Sequence, residues 1–445
     1  MINLKIVPQI PARLENHTNT LNALVRVVAP SAPKTTAEDR PPLNLSLVLD
    51  RSGSMAGQPL DEAKRAAEQI VTGLRPTDRL AIVAFDNEAE VMHPGGPLGD
   101  GRAACNAIAQ IQERGMTALH DGWMLGVEQA IAMREPATPA RVLLLSDGAA
   151  NRGLTEPSAI AADCARMADH GITTSTCGLG HHFNEHLMAE MARAGRGNGY
   201  YGETAEDLAD PFAEEFDLLR NICARQMQLQ LSAGEGVELL VLNRYTEKEG
   251  SVLLPDLAYD GEAWAVVELR FDERGEQPNE RLLLSALVRG RDKDGKDVGD
   301  GPVHLRLPRL PASAFHAVTE DETVRARTRE LRAAELQEQA QVAARRQDWN
   351  EVDHLLREAQ SEAGENPWVE QALTTLKSLA EKRNTEGFSK EAMYSVNRMR
   401  SRLAASSAHS EKSYDLDMES TKPSYLRRKM AQGKRMPRSQ NRNDG

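Results

Sequence analysis

The stretch Leu43-Asn44-Leu45-Ser46-Leu47-Val48-Leu49-Asp50-Arg51-Ser52-Gly53-Ser54 decides how this chain is read. A short apolar run that ends in an acid and then turns suits a parallel strand covered on both faces. In open parallel sheets, ligands bind just outside the carboxyl ends of such strands. Asp50, Ser52 and Ser54 then present three oxygens at one sheet edge. Hard divalent cations favour such oxygens; Mg²⁺ takes about six at roughly 2.1 Å and retains some as water.

Two later segments supply further oxygens. Gly115-Met116-Thr117-Ala118-Leu119 places a hydroxyl in a loop ahead of a helix, and Val142-Leu143-Leu144-Leu145-Ser146-Asp147-Gly148 is a second apolar strand ending in an acid. With these, residues 42–224 resemble a von Willebrand factor A (VWA) domain, and the residues resemble its metal-ion-dependent adhesion site (MIDAS). The resemblance implies that Asp50, Ser52, Ser54, Thr117 and Asp147 share one cation, Mg²⁺ foremost, with Mn²⁺ and Ca²⁺ as alternatives. It implies direct coordination by the hydroxyls, with one or both acids acting through water. Asp121, close after Thr117, is read as supporting that shell rather than joining it. A D-x-S-x-S string by itself is more often an Asx turn or a helix N-cap; the second strand ending in Asp and the Thr loop between them turn the reading toward metal.

The rest of this segment alternates strand and helix. Leu60, Ala63, Ala67, Ile70, Val71 and Leu74 follow helical spacing, Leu80–Phe85 reads as a strand, His120–Arg134 as a helix, Ile172–Gly180 as a strand, and a helix begins near Asn184. That order predicts an α/β fold with a doubly wound, mostly parallel, Rossmann-like sheet.

The flanks read as β-structure. Leu24–Val28 precedes the segment; Met227, Leu229 and Leu231, then Trp264–Phe271, Leu282–Val288 and Val303, Leu305 and Leu307 follow it, with Asp294-Gly295 as a hairpin turn. Period-two alternation predicts an antiparallel sandwich. Since an isolated N-terminal hairpin is unstable, it is expected to join the later strands, so that the A domain is inserted into one sandwich. The resemblance narrows to the bacterial intracellular A-domain proteins that are similar to the inter-alpha-trypsin inhibitor heavy chains. From about Ala317 to Ala404 the pattern is helical, read as a small three-helix appendage whose first hairpin is similar to a tetratricopeptide-type unit. Residues 405–445 read as a disordered tail; its end, Lys422–Gly445, carries eight Lys or Arg against Asp444. The expected units are thus 1–41, 42–224, 225–312, 317–404 and 405–445.

Composition sets the function classes. Net charge is −12 and aromatics are 4% of the 445 residues, which gives no strong nucleic-acid signal. No run of about 18 apolar residues and no leader-like N-terminus is present, so neither a membrane span nor a signal peptide is expected. Four scattered cysteines without C-x-x-C suit free thiols and a cytoplasmic location. His182-Phe183-Asn184-Glu185-His186 matches a zinc-peptidase string, but Asn184 belongs at a helix N-cap, which leaves His182 in the preceding loop. Asp292, Asp294 and Asp297 lack the Gly and Glu positions of a calcium loop, and there is no P-loop.

The function expected is a metal-dependent interaction module and not an enzyme: the ion binds an Asp or Glu carboxylate of a protein partner. From the resemblance, that partner is of the AAA+ ATPase or signalling-enzyme kind. The alternative is a metal-dependent hydrolase or phosphotransferase, which would need a general base beside the cation.

Overall fold

The computed structural model describes residues 1–32, 42–134, 140–147, 150–179, 184–202, 219, 221–292, 294–364, 366–401 and 404–405. The tail expected beyond Ala405, with its basic end, lies outside the described residues.

Three N-terminal strands, β1 (Asn3–Pro8), β2 (Arg13–Leu14) and β3 (Thr18–Val28), come first. The α/β segment follows: β4 (Asn44–Asp50), α1 (Gln58–Gly73), β5 (Arg79–Phe85), β6 (Ala89–Pro97), α2 (Arg102–Ala109), α3 (Leu119–Ala132), β7 (Ala140–Ser146), α4 (Pro157–Asp169), β8 (Ile172–Leu179), α5 (Glu185–Ala194) and β9 (Arg196–Gly202). Its sheet runs β6-β5-β4-β7-β8-β9. All neighbouring pairs are parallel except β5 with β6. The antiparallel edge strand β6 and the helix α2 were not read from the sequence. The Pro94-Gly95-Gly96-Pro97 end of β6 obscures its strand pattern, and an edge position tolerates such residues because one row of its backbone groups is not needed for pairing.

The central strands β4 and β7, each mostly apolar, are buried at every residue, including Asn44, Ser46 and Arg141. Leu45, Leu47 and Leu49 face one layer with α1 and α2, while Val48, Val83 and Val142 face α3, α4 and α5. Helix α3 sits unusually close to the sheet. A Cβ at Gly126 would lie 2.3 Å from Val48 Cγ2, and one at Gly122 would lie 2.4 Å from Phe85 Cγ. Two glycines one turn apart therefore set the depth at which the helix after Thr117 packs.

The second β-unit is built from both ends of this part of the chain. Strands β10 (Ile222–Ala233), β11 (Val237–Val241), β12 (Glu247–Lys248), β13 (Ser251–Leu253), β14 (Leu257–Ala258), β15 (Gly261–Asp272), β16 (Glu280–Asp292) and β17 (Asp297–Leu310) follow the α/β segment. Strand β3 pairs with β15 along its whole length, from Thr18↔Asp272 to Val28↔Glu262. One sheet runs β1-β3-β15-β11 and the other β12-β13-β10-β16-β17-β2. Their inner faces share one core, with Ala23, Val25 and Ala265 meeting Met227, Leu229 and Ala286. The α/β segment is thus inserted between strands of one sandwich, as expected from an N-terminal hairpin that needs the later strands to be stable. Next to the Thr18–Asp272 end of the β3–β15 pair, buried Arg13 and Glu273 form an ion pair of 2.6 Å, with Arg281 3.2 Å and Arg309 3.7 Å from the same carboxylate. The Asp292–Asp297 connection is a hairpin turn in which the Asp292 carboxylate accepts the Asp294 and Lys296 amides. That geometry agrees with a charged turn.

The helical region is larger than the expected three-helix appendage. After the short α6 (Ala312–Phe315) come four helices: α7 (Glu322–Arg345), α8 (Trp349–Ala363), α9 (Pro367–Glu381) and α10 (Thr385–Ser401). They share one apolar core through Ala334, Leu356, Leu373 and Phe388. The long α7 and α8 are the two arms of the expected αα-hairpin; α7 carries buried Arg327, Glu330, Gln337 and Gln341 among its apolar positions. Its Val324 and Leu331 pack on Leu24 and Trp264 at the outer face of the sandwich, and the Arg327 guanidinium lies 4.8 Å from the Trp264 ring centre. The chain then returns as β18 (Ala404–Ala405) alongside β15.

Candidate metal centre

Strand register brings the two acids together. Leu49 is paired with Leu145, so the next residues, Asp50 and Ser146, emerge side by side at the carboxyl end of the sheet. The Ser146 hydroxyl donates to Asp50 Oδ2 at 2.6 Å, and the Ser52 amide donates to Asp50 Oδ1 at 2.8 Å. Asp147 follows at the mouth, 8% exposed where Asp50 is fully buried. Burial is the larger cause of the Asp50 carboxyl being pushed up to about 6; the Ser146 bond opposes this, and the charge of Asp147 raises it further. Two carboxylates in so dry a place repel one another unless a cation sits between them.

The hydroxyls are set by two loops. Ser52 is buried and Ser54 exposed, with their Oγ atoms 3.1 Å apart. Thr117 is 1% exposed. Its amide donates to Asn151 Oδ1 at 2.8 Å, while its carbonyl accepts from Asn151 N at 3.2 Å and Arg152 N at 3.3 Å. The Asp147 carbonyl accepts from Asn184 N at 2.9 Å. The Thr117 loop is stitched to the Ser52–Ser54 loop by Gly53 N to Gly115 O at 3.0 Å and Arg114 N to Arg51 O at 2.8 Å. All five expected residues therefore stand at one end of the sheet. Asp121 sits in the first turn of α3 with its carboxylate largely exposed, 3.8 Å from His120 Nδ1 and beside Gly153.

Residues between β5 and β6, which sequence reading missed, bond to both of these loops. Asp86 is 3% exposed; its Oδ2 accepts from Arg51 Nε at 2.6 Å and from Arg114 Nε at 2.8 Å. Burial opposes ionisation of Asp86, yet the bonds from Arg114 and Arg51 outweigh it and hold the carboxyl below its usual range. The Asp86 carbonyl accepts the Ala118 amide at 2.7 Å, and Asn87 Oδ1 accepts the Met116 amide at 2.6 Å. Ser146 left no signal in the string, because its place beside Asp50 depends on the β4–β7 register. For Asp86, the signal was an acid directly after the third apolar run, Leu80–Phe85.

The donor set is all oxygen, two carboxylates and three hydroxyls, which matches a hard divalent cation and not zinc. Among the described residues, no group of three or more His, Cys, Asp or Glu gathers as a metal cluster. Of the zinc-peptidase string, His182 lies outside the described residues, and Asn184 caps α5 by accepting the Leu187 amide at 3.1 Å, as expected. The four cysteines are free. No helix among the described residues is long and apolar enough to cross a membrane.

Residues 44–214 match the sequence model of the von Willebrand factor type A domain. An uncharacterized protein of Synechocystis sp. is 28% identical over 58% of this chain and 60% of its own length. The uncharacterized protein YfbK of Escherichia coli is 28% identical over 44% of this chain and 34% of its own. Inter-alpha-trypsin inhibitor heavy chain H3 of Pongo abelii is 25% identical over 52% of this chain and 29% of its own. The chain thus spans less than two thirds of each of these relatives. In fold it is similar to a von Willebrand factor type A protein from Catenulispora acidiphila, with a TM-score of 0.66 at 16% identity, covering 84% of this chain and 90% of that one. It is also similar to the ArnB paralog VWA2 of Sulfolobus acidocaldarius, with a TM-score of 0.57 at 18% identity, covering 89% of this chain and 99% of that one.

Proposed function

We propose that this protein, whose residues 44–214 match the VWA domain in sequence, is a metal-dependent protein-interaction module. In this reading Asp50 and Asp147 balance the charge of a divalent cation, and Ser52, Ser54 and Thr117 fill neutral positions around it. Mg²⁺ fits best, with Mn²⁺ and Ca²⁺ as substitutes. Two carboxylates nearly neutralise the ion and the hydroxyls add no charge, so it keeps its appetite for one more anionic oxygen. A partner's Asp or Glu supplies that oxygen by displacing a bound water. The observation that carries the reading is the meeting of buried Asp50 with Asp147 across the β4–β7 register, beside two loops of hydroxyls.

The sandwich and helices act as the frame that presents this face. A cytoplasmic AAA+ ATPase or signalling enzyme is the partner class carried over from the bacterial A-domain proteins the chain resembles. The module is not an enzyme in this reading. Of the titratable groups near Thr117, His120 is already engaged, its Nε2 2.9 Å from Asp163. The test is calorimetric uptake of Mg²⁺ by the full chain, followed by capture of partners from native extract with Mg²⁺ and with chelator. Stoichiometric uptake and captured proteins that vanish in Asp50→Ala and Thr117→Ala, both still folded, support the module. Lack of cation uptake overturns it. Mg²⁺-dependent hydrolysis of phosphoesters that Asp50→Ala abolishes would replace it with the hydrolase reading.

A further inference from the structure

The proposed ligands come from loops that share no covalent neighbour, so their mutual spacing must be held by something else. Residues 86 and 87 contact both loops. On one side, Asp86 Oδ2 takes Arg51 Nε, and Arg51 lies between Asp50 and Ser52. On the other, the same oxygen takes Arg114 Nε, the Asp86 carbonyl takes the Ala118 amide and Asn87 Oδ1 takes the Met116 amide. Those three residues surround Thr117. Gly115, at φ +76°, allows the closest approach: a Cβ there would lie 2.9 Å from Asn87 Cγ and Oδ1. Glu90 closes the arrangement, 2.9 Å from Arg51 and 3.4 Å from Arg114.

We infer that Asp86 and Asn87 are positioning residues that clamp the Ser52–Ser54 loop to the Thr117 loop, and thereby set the affinity of the site for its cation without touching it. The inference rests on the metal-site reading above. Neutral hydroxyls bind a hard cation weakly one at a time, so their contribution depends on being held in place beforehand. Each loop residue left free would have to be ordered at the moment of binding. Groups that orient metal ligands from outside typically change metal affinity about 10–100-fold when removed.

The experiment compares Mn²⁺ and Mg²⁺ uptake by the full chain in six forms: wild type, Arg114→Gln, Asn87→Ala, Asn87→Asp, Asp86→Asn and Arg13→Met. The readouts are calorimetry and the Mn²⁺ electron paramagnetic resonance signal. Amide hydrogen exchange of the metal-free proteins is followed at residues 52–54 and 115–118. Arg114 is 60% exposed, so Arg114→Gln should fold even if Asp86→Asn, which weakens the pairing of buried Arg51, does not. The expected result is a dissociation constant raised about 3–10-fold in Arg114→Gln and Asn87→Ala, and about 10–100-fold in Asp86→Asn. Exchange should be faster in both loops. Asn87→Asp, which keeps the acceptor for Met116, should bind at least as tightly as wild type. Arg13→Met, a sandwich variant remote from the clamp, should lose stability and keep its affinity. If wild type takes up cation and the folded clamp variants match it, the clamp is overturned and the metal site stands. The clamp is equally overturned if affinity falls with stability in Arg13→Met as well. If wild type takes up no cation, both fall together.

Discussion

Replacing Asp50 with Asn should stabilise the metal-free protein at neutral pH while removing its response to Mg²⁺. Asp50 is fully buried, and its carboxyl is pushed from the ordinary 3.8 to about 6 by burial first and by Asp147 second. A raised acid means that the folded state holds the proton more tightly than the unfolded state. Its contribution to stability is therefore greatest below about 3.8, declines as pH rises through the window from 3.8 to about 6, and is lost above that. The difference corresponds to about 3 kcal/mol of cost for holding the charge at pH 7.5 without metal. Asn keeps the shape. Its carbonyl can accept the Ser52 amide, and its NH₂ can donate to the Ser146 hydroxyl, reversing the bond now at 2.6 Å. Urea denaturation with chelator at pH 7.5, read through calorimetrically checked transitions, should show the variant more stable by about 1–3 kcal/mol. The gap should shrink as pH is lowered toward 4. Mg²⁺ at about 100 times its dissociation constant should add roughly 2.7 kcal/mol to wild type and nothing to the variant. Should Asp50→Asn prove less stable than wild type in chelator at pH 7.5, the buried acid is a structural acceptor and not a strained charge.

Three further outcomes follow from the packing. Thr117→Ala should leave metal-free stability within about 1 kcal/mol, since the bonds to Asn151 and Arg152 use the backbone; it should cost at least about tenfold in Mg²⁺ affinity by calorimetry, and Thr117→Ser should restore it. Gly126→Ala gains about 1 kcal/mol of helix propensity. It nevertheless places a Cβ 2.3 Å from Val48; overpacking of this kind costs up to about 3 kcal/mol, so the urea midpoint should fall and Mg²⁺ affinity should weaken as α3 lifts from the sheet. Arg13→Met removes the closest partner of fully buried Glu273 and leaves Arg281 and Arg309 at the longer distances; a loss of about 3 kcal/mol in thermal or urea unfolding is expected, with cation uptake unchanged.

Much of the candidate site was legible because its parts are local. Asp50 and Asp147 each follow a mostly apolar run, and Ser52 and Ser54 sit at alternate positions of one turn. The helix cap at Asn184 and the turn at Asp294-Gly295 were legible for the same reason, since each is satisfied within a few residues. The β6 edge was not, because an edge strand needs no apolar alternation. The burial of α7 was not, because polar residues paired in space look exposed in a string.

Side-chain pattern along the chain was enough for the buried strands β4, β5, β7 and β8, for the acids at the ends of β4 and β7, for helices α1, α3 and α5, and for one sandwich built from both flanks. Side-chain spacing along the chain dictates these, whatever the rest of the molecule does. It took the folded molecule to bring Ser146 beside Asp50, to let Asp86 and Asn87 hold two loops at once, and to lay α7 on the outer face of β3 and β15. Such contacts join residues from about 30 to about 300 positions apart. They depend on register and packing depth, which are settled when sheets and helices close on one another and leave no periodic trace in the chain.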